Sequence, residues 1–575
     1  MNKLWFAASV ALLSPHIAVA DEWYVEAHYT DQAAIIRASN RFQHLDIDRD
    51  KQTVRVDTDE EGIRFLENAG FDVRIDMAAT ANLRAFYQSA NSISSIPGYA
   101  CYRTVEETMD SMEDIVEVHP TLAEIHEIGP SWERTQNPNA GYMMRALRIT
   151  NLETFKNDPD RPRMVMFGSI HAREYTPAEL LTRMAEWLVT SYGTDAQATW
   201  LVDHVDFRFI LHANPDGRKK AESGISWRKN TNSVDAACSG TPNGSRQPGV
   251  DLNRNFPFKW GTAPGGSSSI PCDLIYRGPS AGSEIETRNL IAYVAGTPGA
   301  DGVFTGGALP DLKTDEVTTP APEDYPGIFF DMHSYSRLVL WPWSDVSTLP
   351  PNSAAYQAMG RRIAWFNNYT PQRAVQLYPT DGGTIDTFYG RLGAPSFVME
   401  IGNEFFELCS SFETDVLPKN LGALKFAARA AKAPYKLGSG PDVHTLSLDQ
   451  MSVEAGTPVV LTATIDDTRY RATSPVQTTY AITAAAAYID TTPWDPNAVA
   501  IPMAPVDGTF NGKTEVVQLT IPTDTLAPGK HLIFVQGTNA LGANGTQGAP
   551  DAVMLEILPP SNDMIFRDGF EGGTP

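Results

Sequence analysis

Four apolar runs bounded by turns constrain this chain more than any other feature: "RMVMFGSI" at 163–170, "VDFRFILHA" at 205–213, "GIFFDMH" at 327–333 and "SFVMEIG" at 396–402. Each has the length of a strand, and the stretches between carry helix-period apolar stripes, as where Leu180, Leu181, Met184 and Leu188 fall on one face. Strands alternating with helical segments predict an α/β domain over residues 99–434. In such sheets the crevice beyond the strands' carboxyl ends is the usual ligand site. Polar residues that end the runs are therefore the first candidates for chemistry.

His171 and Glu174 stand three residues apart in "GSIHAREYTPAE", just past the first run. Spacing alone says little, because 11 histidines give roughly an even chance of one such pair by accident. Thr176 as N-cap, Pro177 at the first helical position and Glu179 completing a capping box predict that the pair sits in the turn before a helix. His333 ends the third run, and Glu400 lies at the end of "SFVME", where a carboxylate makes little sense as core packing. A hydrolytic zinc site uses three protein ligands and keeps one position open, and two His with one Glu is an established set.

Around these residues stand, in chain order, "HARE", "NPDG", "WRKN", "GVDLNRN", "PC" followed by "YRGPSAGSE", "DMHSYS", "YPTDGGTID" and "FVME". On these motifs residues 99–434 resemble the zinc carboxypeptidases of the carboxypeptidase A and B type. The resemblance implies a mixed twisted sheet flanked by helices, and one Zn2+ held by His171, Glu174 and His333. Asp251 would orient His171. Glu400 would take the proton of a zinc-bound water and return it to the leaving amine, and Arg228 would face the oxyanion. Asn253, Arg254 and Tyr378 would hold the substrate's terminal carboxylate, for which a guanidinium fork is the natural receptor. Arg173 would serve the subsite on the amino side of the scissile bond. Ile385 falls on the position that selects the C-terminal side chain, so apolar or aromatic residues are expected. Arg373 and Ser344 fall on positions that are apolar or small in apolar-specific members, which predicts some polarity in that pocket.

The implied activity is removal of C-terminal L-amino acids from peptide or protein C-termini. A carboxypeptidase acting on cell-wall peptides is an alternative, against which Arg254 and Ile385 argue. An inactive peptidase-like adhesion protein is another, opposed by the presence of Glu400 and Arg228.

The flanks predict further units. Residues 1–20 have a basic start, an apolar middle and Ala18-Val19-Ala20, the pattern of an export signal. Residues 21–98 read as βαββαβ, the ferredoxin-like α+β order, with Thr58 and Glu61 expected to box the second helix. The resemblance makes this segment an inhibitory pro-domain, released by an activating protease in the Ser/Ala/Asn-rich bridge at 88–98. Residues 297–327 are Pro/Gly-rich and predict an exposed loop. Thr/Val/Ala-rich strands over 441–558 predict an immunoglobulin-like all-β sandwich, and 559–575 a tail. Cys101, Cys238, Cys272 and Cys409 allow three pairings in an oxidising compartment; the resemblance pairs Cys238 with Cys272 and leaves Cys101 for Cys409. A net charge of -24 argues against nucleic acid, and no segment after the signal is long and apolar enough to span a membrane. The expectation is a secreted monomer, extracellular or periplasmic.

Overall fold

The computed structural model describes residues 23–559 except 40–41, 43–44, 49–50, 78–79, 81–94, 241 and 316. The export signal, most of the 88–98 bridge and nearly all of the tail lie outside the described residues.

An eight-stranded mixed sheet carries the centre of the molecule. From one edge its order is Thr370–Arg373, Leu338–Trp341, Ser396–Glu400, Gly327–His333, Arg163–Phe167, Asp206–Ile210, Met143–Ile149 and Ala123–Pro130. The four inner strands, which are the four apolar runs, pair in parallel. Strands Ser396–Glu400, Gly327–His333 and Asp206–Ile210 are buried at every position. That fits a sheet covered on both faces, where near-continuous apolar sequence replaces alternation. Helix Thr176–Thr190 packs on strands Gly327–His333 and Met143–Ile149, while helix Thr384–Leu392 packs on Gly327–His333 and Ser396–Glu400.

Two helix starts differ from expectation. Helix Thr176–Thr190 begins at Thr176 itself; Tyr175 precedes it with φ -79 and ψ -38, already helical backbone, and no side chain caps the helix. An N-cap side chain needs an extended backbone at the cap, and the tight turn after His171 denies it. Glu179 instead binds Arg103 at 2.9 Å and Arg183 at 2.6 Å. In the N-terminal unit Asp59, extended at φ -88 and ψ -179, caps helix Glu60–Asn68 through Gly62 N–H, and Thr58 is left at the end of its strand.

That unit forms its own sheet, in which Asp46–Asp48, Thr53–Thr58, Trp23–Tyr29 and Phe71–Ile75 lie side by side and all pair antiparallel. It encloses a separate core built on Val25, Ala27, Val54 and Leu66. The Thr58 hydroxyl lies 3.0 Å from that of Ser245, and Asn243 donates to Asp59 at 3.0 Å, so the unit rests on the 243–245 loop.

Past Gly440, two sheets of four and six strands face each other over Val459, Leu461, Val517, Ile533 and Leu555. This sandwich is not a separate bead. Tyr488, Phe534 and Ala549 join the same continuous core as the central sheet, and Phe534 stands edge-on to Trp200 at 5.7 Å. Arg362, fully buried, donates to Gly440 O at 2.5 Å and reaches Asp467 at 3.4 Å. The 297–327 region is mostly exposed, with a short hairpin of Gly296–Pro298 and Phe304–Gly306, but Leu309 and Tyr325 anchor it in the core. Among the described residues no helix is long and apolar enough to cross a membrane.

Both disulfides pair as the resemblance implied: Cys101–Cys409 and Cys238–Cys272, with Cα separations of 5.5 and 5.0 Å.

Candidate active site

His333 is the last residue of its strand and stands in register with Glu400, the last residue of the neighbouring parallel strand. The strand Arg163–Phe167 lies on the other side of Gly327–His333, and the turn that follows it delivers His171 and Glu174 to the same edge. The turn is pinned by Ala172 N–H to Arg228 O at 3.1 Å and Tyr175 N–H to Phe405 O at 3.3 Å.

Glu174 sits between the two imidazoles. Its Oε1 is 2.8 Å from His171 Nδ1, its Oε2 is 3.0 Å from His333 Nδ1, and the two Nδ1 atoms are 3.0 Å apart. One candidate ligand atom from each residue falls within 4.8 Å of the others, and all three side chains are buried. The far sides of the rings are held by carboxylates: His171 Nε2 faces Asp251 at 3.1 Å and His333 Nε2 faces Asp331 at 3.1 Å. The Asn253 amide nitrogen also stands 3.0 Å from His333 Nε2; a proton on each Nε2, directed at Asp251 and Asp331, turns the Nδ1 lone pairs inward. Two ring nitrogens and a carboxylate then converge with no donor between them, which is the donor set a zinc ion takes. The residues fit the metal. Burial raises the Glu174 pKa, but His171 and His333 outweigh it and hold the carboxylate well below its usual range.

Asp251 joins two parts of the site. Its Oδ1 faces His171, and its Oδ2 accepts from Arg228 Nη2 at 2.8 Å and Nε at 3.1 Å. Burial raises its pKa; Arg228 and His171 more than reverse that and keep it well below the usual value. The Glu400 carboxyl is pushed up to about 8, first by burial, with His333 pulling it down and Glu174 pushing it up.

Arg228, Asn253, Arg254, Tyr378, Ile385 and Glu400 line one cavity together with His171 and His333. Arg254 is held by its Nη1 on Asn253 O at 2.5 Å. Asn253 Oδ1 accepts from Thr384 N–H at 3.0 Å, tying this turn to helix Thr384–Leu392. Gly382 makes the close approach possible. Its φ is +63, and a Cβ there would meet Arg254 O at 2.4 Å. Burial holds the Tyr378 phenol well above its ordinary pKa, so it stays a hydrogen-bond donor.

The cavity has apolar walls of Leu340, Ala374, Leu377, Ile385 and Val398. Ser344 is there too, its N–H 2.9 Å and its hydroxyl 3.1 Å from oxygens of buried Asp386. Arg373 is not in the lining; its guanidinium turns away to Ser347 O at 2.7 Å. Arg173 also lies outside the lining, buried beside it, with its guanidinium 4.0 Å over the Phe405 ring and Nη1 3.2 Å from the Ser226 hydroxyl.

Asp331 was missed on the sequence although a signal existed. In "FFDMH" it precedes His333 by two, so both project from the same face of the strand.

A family profile described as zinc carboxypeptidase matches residues 108–413, more than half of the chain. The metallocarboxypeptidase A of Arthroderma otae is 30% identical over 279 residues, covering 48% of this chain and 56% of that protein. Carboxypeptidase A2 of Rattus norvegicus is 26% identical over 317 residues, 54% of this chain and 64% of that one. The chain thus spans less than two thirds of the length of either relative. Among solved structures, the carboxypeptidase A of Helicoverpa armigera superposes with a TM-score of 0.54 at 21% identity, covering 73% of this chain and 99% of that one. Thrombin activatable fibrinolysis inhibitor gives 0.52 at 20% identity, with 72% and 99% covered. At these identities the two structures speak for the fold.

Proposed function

This chain belongs to the zinc carboxypeptidase family, and from that premise we propose that it is a secreted exopeptidase removing apolar C-terminal L-amino acids from peptides. The observation that carries the proposal is one cavity lined by His171, His333, Glu400 and the buried guanidinium of Arg254, with Glu174 bridging the two imidazoles behind it. Only a chain end offers an α-carboxylate one residue from the scissile bond, so a carboxylate bound at Arg254 would make the reaction exopeptidic.

His171, Glu174 and His333 would hold the zinc ion, which when bound supplies Lewis acidity toward a peptide carbonyl and toward water. Asp251 and Asp331 fix the two imidazoles and raise their basicity. Arg254, with Asn253 and Tyr378, binds the terminal carboxylate and so sets the position of the scissile bond. Glu400 Oε takes a proton from the attacking water and hands it to the departing amine. Arg228, kept in place by Asp251, faces the charge that develops on the carbonyl oxygen. Arg173 and Phe405 lie on the amino side of the bond. The apolar walls around Ile385, with Arg373 turned outward, favour leucine-like or aromatic ends.

The N-terminal unit of residues 21–98 we read as the inhibitory pro-domain. Its support is the seat of Thr58 and Asp59 on the 243–245 loop, since Gly244 O in that loop accepts from Arg173 at 3.4 Å. Two disulfides support an oxidising destination outside the cytoplasm.

The test is to cleave the 88–98 bridge and assay blocked dipeptides ending in Phe, Leu, Arg and Glu. Cleavage should raise activity, a chelator should abolish it, and Glu400→Gln should lower kcat on the order of a hundredfold or more. Turnover that survives both chelator and Glu400→Gln refutes the mechanism. Preference for Arg or Glu ends over Phe and Leu refutes the specificity.

A further inference from the structure

Against the backbone of Arg228 lies a fully buried glutamine, Gln247, whose amide is engaged at both ends. Its Oε1 accepts from Arg228 N–H at 2.8 Å. Its Nε2 donates to Ser226 O at 2.6 Å and to Asn243 O at 2.8 Å. Two carbonyls on one side and an N–H on the other leave a single orientation for the amide. The Gln247 main chain adds an N–H to Cys272 O at 3.4 Å. Burying an amide forfeits its hydration, so an apolar side chain of the same size would serve packing better. The reason for a glutamine lies in what its three partners carry.

Arg228 is the first. Its carbonyl takes Ala172 N–H at 3.1 Å, in the turn that bears His171 and Glu174, so its backbone is gripped at N–H by Gln247 and at C=O by Ala172. Asp251 holds the other end of the residue, at Nε and Nη2. A long side chain has a fixed tip only when its backbone is fixed as well. Ser226 and Asn243 bear on a different arginine. Arg173 Nη1 lies 3.2 Å from the Ser226 hydroxyl and 3.4 Å from Gly244 O, next in chain to Asn243. Gln247 thus grips the backbone beside both groups that seat Arg173. Arg254 is held elsewhere, by Asn253 O and the turn at Gly382.

We propose that Gln247 is a positioning residue that sets Arg228 toward the developing oxyanion and Arg173 toward the amino side of the substrate, both from one buried amide. What the two arginines do rests on the exopeptidase reading. That Gln247 fixes the backbone from which they project stands on its hydrogen bonds alone. Its loss should therefore leave the terminal carboxylate bound at Arg254 and lower the rate of the chemical step.

The experiment compares the full chain with Gln247→Met, which keeps the volume and removes the amide. Amide hydrogen exchange within residues 226–230, followed by mass spectrometry with a chelator present, should quicken about tenfold or more at an unchanged Tm. After cleavage of the 88–98 bridge, kcat for blocked dipeptides should fall about tenfold or more while KM stays within about twofold. A blocked tetrapeptide, which also reaches Arg173, should lose more kcat/KM than the dipeptide. In an Arg228→Ala background the same substitution should cost less than about twofold further in kcat, because residues that act through one another are not additive. A glutamine that only supports the fold would cost equally in both backgrounds, and that result overturns the proposal. So does an unchanged kcat, an unchanged exchange rate, or a rise in KM alone. Should Gln247→Met not fold, Gln247→Asn, whose amide is one carbon too short to span the three partners, enters the same measurements; if neither folds, Gln247 is a packing residue and the proposal falls. Failure of the parent to cleave blocked dipeptides would sink the exopeptidase reading separately, leaving exchange at 226–230 to judge Gln247.

Discussion

Asp331 stands to His333 as Asp251 stands to His171, each carboxylate 3.1 Å from the ring nitrogen that faces away from the shared centre. Removing such a partner costs about 10–100-fold in metal affinity. Asp331→Asn should therefore weaken zinc by that range in a chelator competition, with an unchanged far-UV spectrum. That His171, Glu174, His333 and Glu400 share one sheet edge was legible because each follows or ends a run whose apolar character fixes the strand. Arg373 was not, because position along an edge strand does not say which way a long side chain turns, and here backbone carbonyls at 347 and 348 take its guanidinium outward. A second residue prediction concerns Glu286, whose carboxyl is pushed up to about 8 by burial first, with Asp216 and Glu284 adding to it. The folded value lies above the unfolded value of about 4.3. The stabilisation is thus complete below about pH 4 and is lost as pH rises through about 8. Glu286→Gln stays neutral and should flatten the fall in urea midpoint between about pH 4 and 8; parallel slopes for parent and variant would count against it.

Turns carry the site's precision, and they were the least legible elements. The Asp381–Gly383 turn wraps the backbone of residues 253–256, with Phe256 N–H donating to Gly382 O at 2.9 Å. Gly382→Ala would place a methyl against Arg254 O and force the turn that carries Arg254 to shift. The expected result is a raised KM for blocked dipeptides, about tenfold or more, with a smaller change in kcat; an unchanged KM would show that the turn does not set Arg254. "DGGT" signals a turn in the sequence, but nothing local says which distant backbone it must clear. The cap at Thr176 was misplaced for the same reason. Capping residues describe a helix start, whereas long-range bonds from Arg228 and Phe405 carbonyls decide how the chain enters it.

The sandwich was legible as a fold but not as a fixed part of the molecule. Helix Ala196–His204 presents Trp200 to Phe534 and Trp494, and strand Asp551–Leu558 packs along that helix. The partners are more than 290 residues apart, beyond what periodicity can join. Truncation after Gly438 should strip this cover and leave Arg362 and Arg429 without Asp467 and Asp442. Exposing Trp200 and its apolar neighbours forfeits their burial, about 3–5 kcal/mol for a large aromatic, so the truncated chain should be insoluble or should melt well below the parent. A truncated protein with the parent Tm would show the two units to be independent. The cysteine pairing has a consequence for biosynthesis. Cys238–Cys272 is nested inside Cys101–Cys409, which spans 308 residues. Under the proposed export, Cys238 would be the first thiol to join Cys101 in the oxidising space, and pairing those two would be wrong. A correct product therefore depends on shuffling by thiol exchange, and yield in a heterologous host should be governed by isomerase capacity more than by oxidant.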